Sequence, residues 1–214
     1  MSGALSASLA DFSAARRLTL NTLIQAMWSI LLWQYSHQRD IVFGVAVSGR
    51  PASITGVERI LGLFINNLPM RVRIEDGKTV LDFLSDLQDL SLAMRDYEYT
   101  FLPDIQICSA VPASKKLFNS LIVFQNYPLS EKSVVSLPEI AIRDLSINEM
   151  TNFDLTLTVF NTSRLQIRVQ YDKNSAEQAT IARIVSHMEQ LLALLVAHPD
   201  ASLAELRAAA GGTP

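Results

Sequence analysis

Polar residues stand at the ends of three apolar segments whose patterns predict β-strands. They are Ser48, Gly49 and Arg50 after the first segment, Asn66 and Asn67 in the second, and Gln125 and Asn126 after the third. If these strands are neighbours in one sheet, the hydroxyl, guanidinium and amide groups line one crevice. Such groups bind and orient polar substrates through hydrogen bonds.

Local roles are the alternative for the same residues. Ser and Asn side chains often bond nearby backbone, and Arg50 has two local partners, the carboxylate of Glu58 or backbone carbonyls. The residue types alone favour these local roles.

Signatures of other chemistries are missing from the sequence. His37, His187 and His198 have no cysteine or carboxylate at ligand spacing, and HExxH is absent. GxxxxGK[ST], GxGxxG and GxSxG are also absent, so nucleotide binding and serine-hydrolase chemistry have no support. Cys108 is expected to be a packed thiol, because cysteine is among the most buried residue types.

Composition bounds the class of protein. The 214 residues suffice for one large domain or two small ones, and 49% are hydrophobic while 18% are charged. The mean hydropathy of +0.22 indicates either a large core or a surface that packs against something outside the chain. A net charge of -3 without a basic tract argues against nucleic acid.

Membrane insertion and secretion are not expected either. No uninterrupted apolar run approaches the roughly 20 residues of a membrane span, and the N-terminus has no basic region of a signal peptide. The single cysteine excludes a disulfide framework and fits a reducing compartment, so we expect a cytoplasmic protein.

Hydrophobic periodicity predicts a mixture of helices and strands. Long helices are predicted at residues 18–35, with Thr19 as N-cap, at 79–99, and at 176–197, with Ser175 as N-cap. Strands are predicted at residues 41–47, 64–74, 120–127, 140–147, 155–160 and 165–171, the last two forming a hairpin. Residues 102–112 look irregular. The pattern is typical of an α/β or α+β protein with a mixed sheet covered by helices.

Several ordered motifs carry a resemblance to a known family. They are Leu-Asn-Thr-Leu-Ile-Gln-Ala at residues 20–26, Val-Ser-Gly-Arg-Pro at 47–51, Gly-Leu-Phe-Ile-Asn-Asn-Leu-Pro at 62–69, Leu-Phe-Asn-Ser at 117–120 and Phe-Gln-Asn-Tyr-Pro at 124–128. From residue 18 to residue 198 the chain resembles the C-terminal lobe of a condensation domain of nonribosomal peptide synthetases. The resemblance implies a chloramphenicol acetyltransferase-like lobe, a two-layer sandwich. Residues 1–17 would be a leader and residues 199–214 a short helix and linker.

The resemblance also implies a function. Donor and acceptor carrier proteins bring thioester-bound groups on phosphopantetheine arms to a tunnel between two lobes, where the acceptor amine attacks the donor thioester. The implied partners are the N-terminal lobe, both carriers and an adjacent adenylation domain, with no directly bound cofactor. Ser48, Gly49, Arg50, Asn67, Gln125 and Asn126 would line this chain's wall of the tunnel.

The catalytic motif of that family, HHxxxDG, is absent because it belongs to the N-terminal lobe. A histidine that acts on the amine must lie within hydrogen-bond reach of it, so we expect the isolated chain to be inactive. A latch that crosses to the other lobe is placed at Asn152, Phe153, Asp154 and Leu155. The alternation over residues 155–160 suits an added strand whose partner edge lies in that lobe.

Two other functions stay open. The first is a non-catalytic lobe that docks carrier proteins or scaffolds neighbouring domains. The second is an unrelated carrier-dependent acyltransferase of the same fold that uses a smaller acceptor. An upstream HHxxxDG motif would favour the condensation domain over the docking lobe.

Overall fold

The computed structural model describes residues 1–50, 54–125, 151–162 and 164–211. Six α-helices and five strands lie in these residues. In chain order they are α1 Gly3–Arg16, α2 Leu20–Ser36, β1 Asp40–Val47, β2 Asn66–Arg73, α3 Val80–Ala93, α4 Leu102–Cys108, β3 Ser120–Gln125, β4 Leu155–Asn161, β5 Leu165–Tyr171, α5 Gln178–Ala197 and α6 Leu203–Ala209. Short 3-10 turns occur at Val57–Arg59 and Met94–Tyr97. The strand predicted at residues 140–147 lies outside the described residues.

The five strands form one mixed sheet in the order β2-β1-β3-β4-β5. β1, β3 and β4 are parallel to one another, whereas β2 and β5 pair antiparallel with β1 and β4. The carboxyl ends of β1, β3 and β4 therefore share one edge of the sheet with the starts of β2 and β5. We call this the carboxyl edge.

Helix α2 is the centre of the hydrophobic core. Thr19 caps it, since its side chain accepts a hydrogen bond from Thr22 N, and twelve of its 17 residues are buried. One face of the sheet packs on it through alternating residues such as Phe43 and Val45, and the same core includes side chains of α1, α3, α5 and α6. The indole Nε1 of Trp28 donates to Ser120 Oγ at 3.2 Å, which ties α2 to β3.

Residues 1–17, assigned to a leader from the sequence, contain helix α1. Ser2 caps it, and its Leu9 is fully buried while Phe12 is 7% exposed. Leu165 N donates to Ser6 Oγ at 3.2 Å, which joins α1 to the start of β5. The division into leader, lobe and linker stays a prediction, but this helix contributes to the core.

Strand β4 corrects one sequence expectation. We expected residues 155–160 to find their partner edge in another lobe. Instead, Leu155 pairs with Ser120 of β3 and with Tyr171 of β5, and both edges of β4 are paired from Leu155 to Phe160. The predicted β4–β5 hairpin is confirmed.

Three smaller predictions are wrong. Residues 102–108 form α4, with a proline in its first turn, where the missing N–H is harmless. Cys108 ends this helix and is exposed. Helix α5 begins at Gln178 without a side-chain cap, because Ser175 N and Ala176 N both donate to Asp172 O in a preceding turn.

Helix α5 is, among the described residues, the one helix long and apolar enough to span a membrane by length and composition. Its apolar stripe lies inside the protein, where Met188, Leu191, Leu192 and Leu195 are buried in the core that α2 shares. An amphipathic helix packed on a core has this composition too.

Candidate functional site

The carboxyl edge collects most of the residues predicted from the sequence. Ser48 follows the end of β1, Asn67 pairs with Ala46 near the start of β2, and Gln125 ends β3 opposite Phe160. Asn126 lies outside the described residues. Because parallel strands end together, three separate sequence segments meet here.

Asn67 and Gln125 lie on the sheet face opposite α2. Residues alternate between faces along a strand, and Val45 and Ile122 point into the core. Ala46, paired with Asn67, and Gln125 therefore belong to the other face. Both amide side chains are partly exposed, so they are accessible for hydrogen bonding.

Gly49 allows a close approach of the chain to Phe64. Its φ of 60° lies in the left-handed region, and a Cβ here would stand 3.0 Å from the carbonyl carbon of Phe64 and nearer still to its oxygen. Only glycine tolerates both the angle and the contact without a shift. Gly49 thereby seats the loop of residues 54–65 against the end of β1.

Arg50 holds the same loop rather than pointing freely into a cavity. Its Nη1 donates to the carbonyls of Val57 and Ile60, the latter at 3.1 Å, and its guanidinium lies 4.1 Å from the centroid of the Phe64 ring. Of the two local roles considered for Arg50, the structure shows the bonds to backbone carbonyls. A role in lining a tunnel stays a prediction.

Asn66 and Glu98 join β2 to the segment after α3. Asn66 Nδ2 donates to the carbonyls of Glu98 and Thr100 at 3.0 and 2.7 Å, while its Oδ1 accepts from Asn67 N at 2.9 Å. Ser48 Oγ donates to the Glu98 carboxylate at 3.4 Å. Glu98 was not singled out in the sequence, because its partners lie 32 and 50 residues away.

A cleft of about 500 Å³ opens beside this cluster, on the helix side of the sheet. It lies between the start of α2, the end of α3 with its 3-10 extension, and the ends of β1, β3 and β4. Val45, Val47 and Phe124 supply apolar lining, and the polar lining includes Gln25, Gln88, Ser91, Glu98 and Asn161. The cleft can therefore hold a chain that is apolar along one side and carries amides or hydroxyls along the other.

Two hydrogen-bonded pairs of polar residues join α2 to α3 along one wall of the cleft. Thr22 Oγ1 donates to Gln88 Oε1 at 3.2 Å, and Ser91 Oγ donates to Gln25 Oε1 at 2.8 Å. Both helices use a spacing of three residues, which puts each pair on one face. The sequence signal was Thr22 and Gln25, polar residues three positions apart near the start of a buried helix, and it was missed because the helix was interpreted only as buried.

Proton-transfer groups are sparse around the cleft. His37 lies at the far end of α2, and His187 accompanies Tyr35 there, with 3.0 Å between Tyr35 Oη and His187 Nδ1. Burial raises the pKa of Tyr35, and the charge of Arg183 offsets this in part. No group of three or more metal-ligating side chains occurs in the part of the chain that the structure describes. Among the described residues, the lining of the cleft has one carboxylate, Glu98, and no histidine.

Comparison with known proteins identifies the family. The model of the Condensation domain family matches residues 1–210. The chain belongs to the condensation-domain family. Subunits C and D of linear gramicidin synthase from Brevibacillus parabrevis are 38% and 40% identical to it over 92% and 94% of this chain. Surfactin synthase subunit 3 from Bacillus subtilis (strain 168) is 35% identical over 94%.

Solved condensation domains share the fold. The first condensation domain of the CDA synthetase matches 95% of this chain with a TM-score of 0.72 at 16% identity. A holo four-domain nonribosomal peptide synthetase bound to AMP and glycine matches 95% with a TM-score of 0.82 at 17% identity. The predicted chloramphenicol acetyltransferase-like fold is confirmed.

The condensation-domain chain is short beside its relatives. It spans 3% and 4% of the two gramicidin synthase subunits and 16% of the surfactin synthase subunit. It spans 45% of the solved CDA condensation-domain chain and 17% of the four-domain synthetase.

Proposed function

We propose that this chain is the C-terminal lobe of a condensation domain that joins a carrier-bound donor thioester to a carrier-bound acceptor amine. The observation that carries the proposal is the match to the family over residues 1–210 in a chain that spans 45% of a solved condensation-domain chain. The absence of HHxxxDG from all 214 residues agrees with a lobe that lacks the catalytic histidine.

In this proposal, the carboxyl edge is one wall of the reaction tunnel. Ser48, Asn67 and Gln125 present a hydroxyl and two amides there, and each can bond an amide or carbonyl of the acyl chains or of the phosphopantetheine arms. Gly49 and Arg50 fix the loop beside them. Ser48 Oγ accepts from Arg50 N at 3.3 Å and donates to the Glu98 carboxylate at 3.4 Å, two long bonds that an exposed hydroxyl can exchange for a bond to substrate.

The reaction forms a C–N bond and an S–H bond and breaks a C–S bond and an N–H bond. The acceptor nitrogen attacks the donor carbonyl carbon, the C–N bond forms, the C–S bond breaks, and the amine proton ends on the departing thiol. A group from the other lobe must accept and return that proton. This chain's own contribution is to hold the two thioesters in reach of each other, which can supply a large part of a rate enhancement.

The proposal keeps the latch but shortens it to three residues, Asn152, Phe153 and Asp154. Lys116 Nζ donates to Asn152 O at 3.1 Å and lies 3.6 Å from the Asp154 carboxylate, while Phe153 stacks on Phe118 at 5.3 Å. Asn152, Phe153 and Asp154 thus lie in a fixed bend before β4, from which a crossing segment could depart. Leu155 is already part of the sheet.

Partners and location follow from the same proposal. They are the N-terminal lobe, the two carriers with their phosphopantetheine arms, and an adjacent adenylation domain, all in the cytoplasm. Relatives named as synthase subunits of many times this length support that setting.

Reconstitution tests the proposal. The full condensation domain, with this chain as its C-terminal lobe, is mixed with two loaded carriers, and amide-linked product on the acceptor carrier is measured by mass spectrometry. We expect product from the full domain and none from this chain alone. Carrier binding without product from the full domain would favour the docking lobe, and product from this chain alone would refute its inactivity.

A second variant separates binding from stability. Ser48→Ala in the full domain should lower turnover while the melting temperature changes little, because Ser48 is exposed and its bond to Glu98 is long. A lower melting temperature with unchanged turnover would assign Ser48 a local structural role.

A further inference from the structure

Glu98 differs in its surroundings from the other partly buried acidic residues. Among the described residues, three acidic residues are partly buried, namely Asp76, Glu98 and Asp154. Asp76 pairs with Arg39, and the Asp154 carboxylate lies 3.6 Å from Lys116 Nζ. No ion pair within the described part of the chain involves Glu98. Because taking a carboxylate partly out of water costs free energy unless a positive group lies beside it, Glu98 is open to a cationic ligand.

The Glu98 carboxylate lies where the cleft meets the carboxyl edge of the sheet. It lines the cleft, and it accepts a hydrogen bond from Ser48 Oγ at 3.4 Å, a long bond that a charged donor can replace. The backbone of Glu98 is bonded on both sides, since Asn66 Nδ2 donates to Glu98 O at 3.0 Å and Glu98 N donates to Arg95 O at 3.3 Å. The position of the carboxylate is therefore defined by contacts within the chain.

The lining of the cleft favours an ammonium group over a metal ion as the ligand of Glu98. A divalent metal ion needs several oxygen ligands, and Glu98 is the one carboxylate of the lining within the described residues. An ammonium group needs one carboxylate and a few hydrogen-bond acceptors. Arg95 is the other charged residue of the lining, but it is exposed and forms no ion pair with Glu98. Apolar side chains of the same cleft, such as Val45 and Val47, lower the local dielectric constant and so strengthen the attraction.

We propose that Glu98 binds the amino group of the acceptor in its protonated form, before the condensation step. This inference rests on the proposed function, which brings an amine to the carboxyl edge. An α-amino group has a pKa of about 7.7–8.0 in water, so at neutral pH it arrives mostly as an ammonium ion. The bound ammonium ion then loses one proton to water, and the neutral amine attacks. Glu98 is thus a binding residue for the arriving acceptor, because the nitrogen lone pair is free to react only after the proton has left.

Binding of unreactive acceptors tests this role of Glu98 without any turnover. The acceptor carrier is loaded, through a stable amide in place of the thioester, with alanine or with its hydroxy analogue lactate. The affinity of each carrier for the full condensation domain is measured by calorimetry. At about pH 6 the alanyl carrier should bind at least about fivefold more tightly than the lactyl carrier. At about pH 9 the two affinities should be nearly equal, because the amine is then mostly neutral.

Glu98→Gln tests the carboxylate, and Asp96→Asn is the matched control. Glutamine keeps an oxygen that can accept from Ser48 Oγ, so Glu98→Gln removes the charge alone and should abolish the preference for the alanyl carrier. Asp96 is exposed and is not among the residues described as lining the cleft, so Asp96→Asn should keep the wild-type preference. Equal affinities of Glu98→Gln and the wild type for the lactyl carrier show that the variant is folded.

The outcomes separate this inference from the proposed function. No preference for the alanyl carrier in the wild type, or a preference that survives in Glu98→Gln, overturns the inference. A preference that depends on Glu98 only when the same groups are on the donor carrier, or only when lysine replaces norleucine on the acceptor carrier, also overturns it, since another amine is then the ligand. Amide product from the full domain without Glu98-dependent binding upholds the function and refutes the inference. Glu98-dependent binding without amide product supports the inference and contradicts the function.

Discussion

Alanine substitutions at four glycines distinguish two causes of lost stability: a left-handed backbone angle at the substituted residue and steric overlap of the added Cβ. Gly77 has open space at its Cβ position and no positive φ, and Gly56 has open space with φ of 76°. Gly44 has no positive φ, but a Cβ there would meet the Phe118 ring. Gly49 combines a φ of 60° with contact to the Phe64 carbonyl. Alanine at these four positions thus forms a complete two-by-two comparison.

The structure sets the expected order of destabilisation. Gly77→Ala should change the free energy of unfolding by within about 0.5 kcal/mol. Gly56→Ala should lose about 1–2 kcal/mol for the left-handed angle alone, and Gly44→Ala about 1–3 kcal/mol for crowding alone. Gly49→Ala should lose the sum, about 2–5 kcal/mol. The entropy that alanine removes from the unfolded chain is similar in all four variants and cancels in the comparison.

Urea unfolding of the isolated chain, followed by fluorescence and circular dichroism, measures these free energies. Coincident transitions and an unchanged m-value are required for each variant. A loss for Gly49→Ala no greater than that for Gly56→Ala would refute the close approach of Phe64. A loss for Gly44→Ala equal to that for Gly77→Ala would refute the packing of Phe118 on β1.

Three further changes test other parts of the fold by the same unfolding assay. Gln25→Leu should lose about 1–3 kcal/mol, and a double-mutant cycle with Ser91→Ala should show about 0.5–1.5 kcal/mol of coupling, since the two side chains bond each other. Leu9→Ala should lose about 2–5 kcal/mol because Leu9 is fully buried, and a loss below 1 would contradict a core role for α1. Arg71 donates two hydrogen bonds to the Asp40 carboxylate, at 2.8 and 2.6 Å, and they lower the pKa of Asp40. The ion pair therefore stabilises the fold above about pH 4, and its contribution to the free energy of unfolding is lost as the pH falls through the lowered pKa. Asp40→Asn should therefore be less stable than the wild type at neutral pH and approach it in acid, and a constant difference would refute the ion pair.

The long elements were predictable because each buries a continuous apolar pattern. The helix after Thr19 and the strands now called β1, β3 and β5 begin within two residues of their predicted starts. The β4–β5 hairpin was also predictable, since Leu157 and Val169 alternate with polar residues and face each other across the ladder. In these segments local pattern and burial in the final fold agree.

Short elements of secondary structure, and the solvent exposure of individual side chains, were not predictable from the local sequence pattern. Helix α4 has seven residues and no buried one, so no apolar period marks it. Cys108 is exposed because the helix it ends is exposed, whatever the usual preference of cysteine. For β4, alternation showed which residues share a face, but it carried no information about which strand edges would pair. Thr156 and Thr158 look like a solvent face in sequence and are 1% and 3% exposed in the fold.

At the candidate site too, the sequence indicated which residue types matter but not which groups they bond. Arg50 was selected for its charge, yet its donors are taken by carbonyls 7 and 10 residues away. Asn66 and Gln88 act through partners 32 and 66 residues away, which no spacing rule reveals. These bonds orient side chains of the carboxyl edge and of the cleft from within the chain. In the proposed function, a wall ordered in advance lowers the entropy lost on binding, and proton transfer is assigned to a group outside this chain.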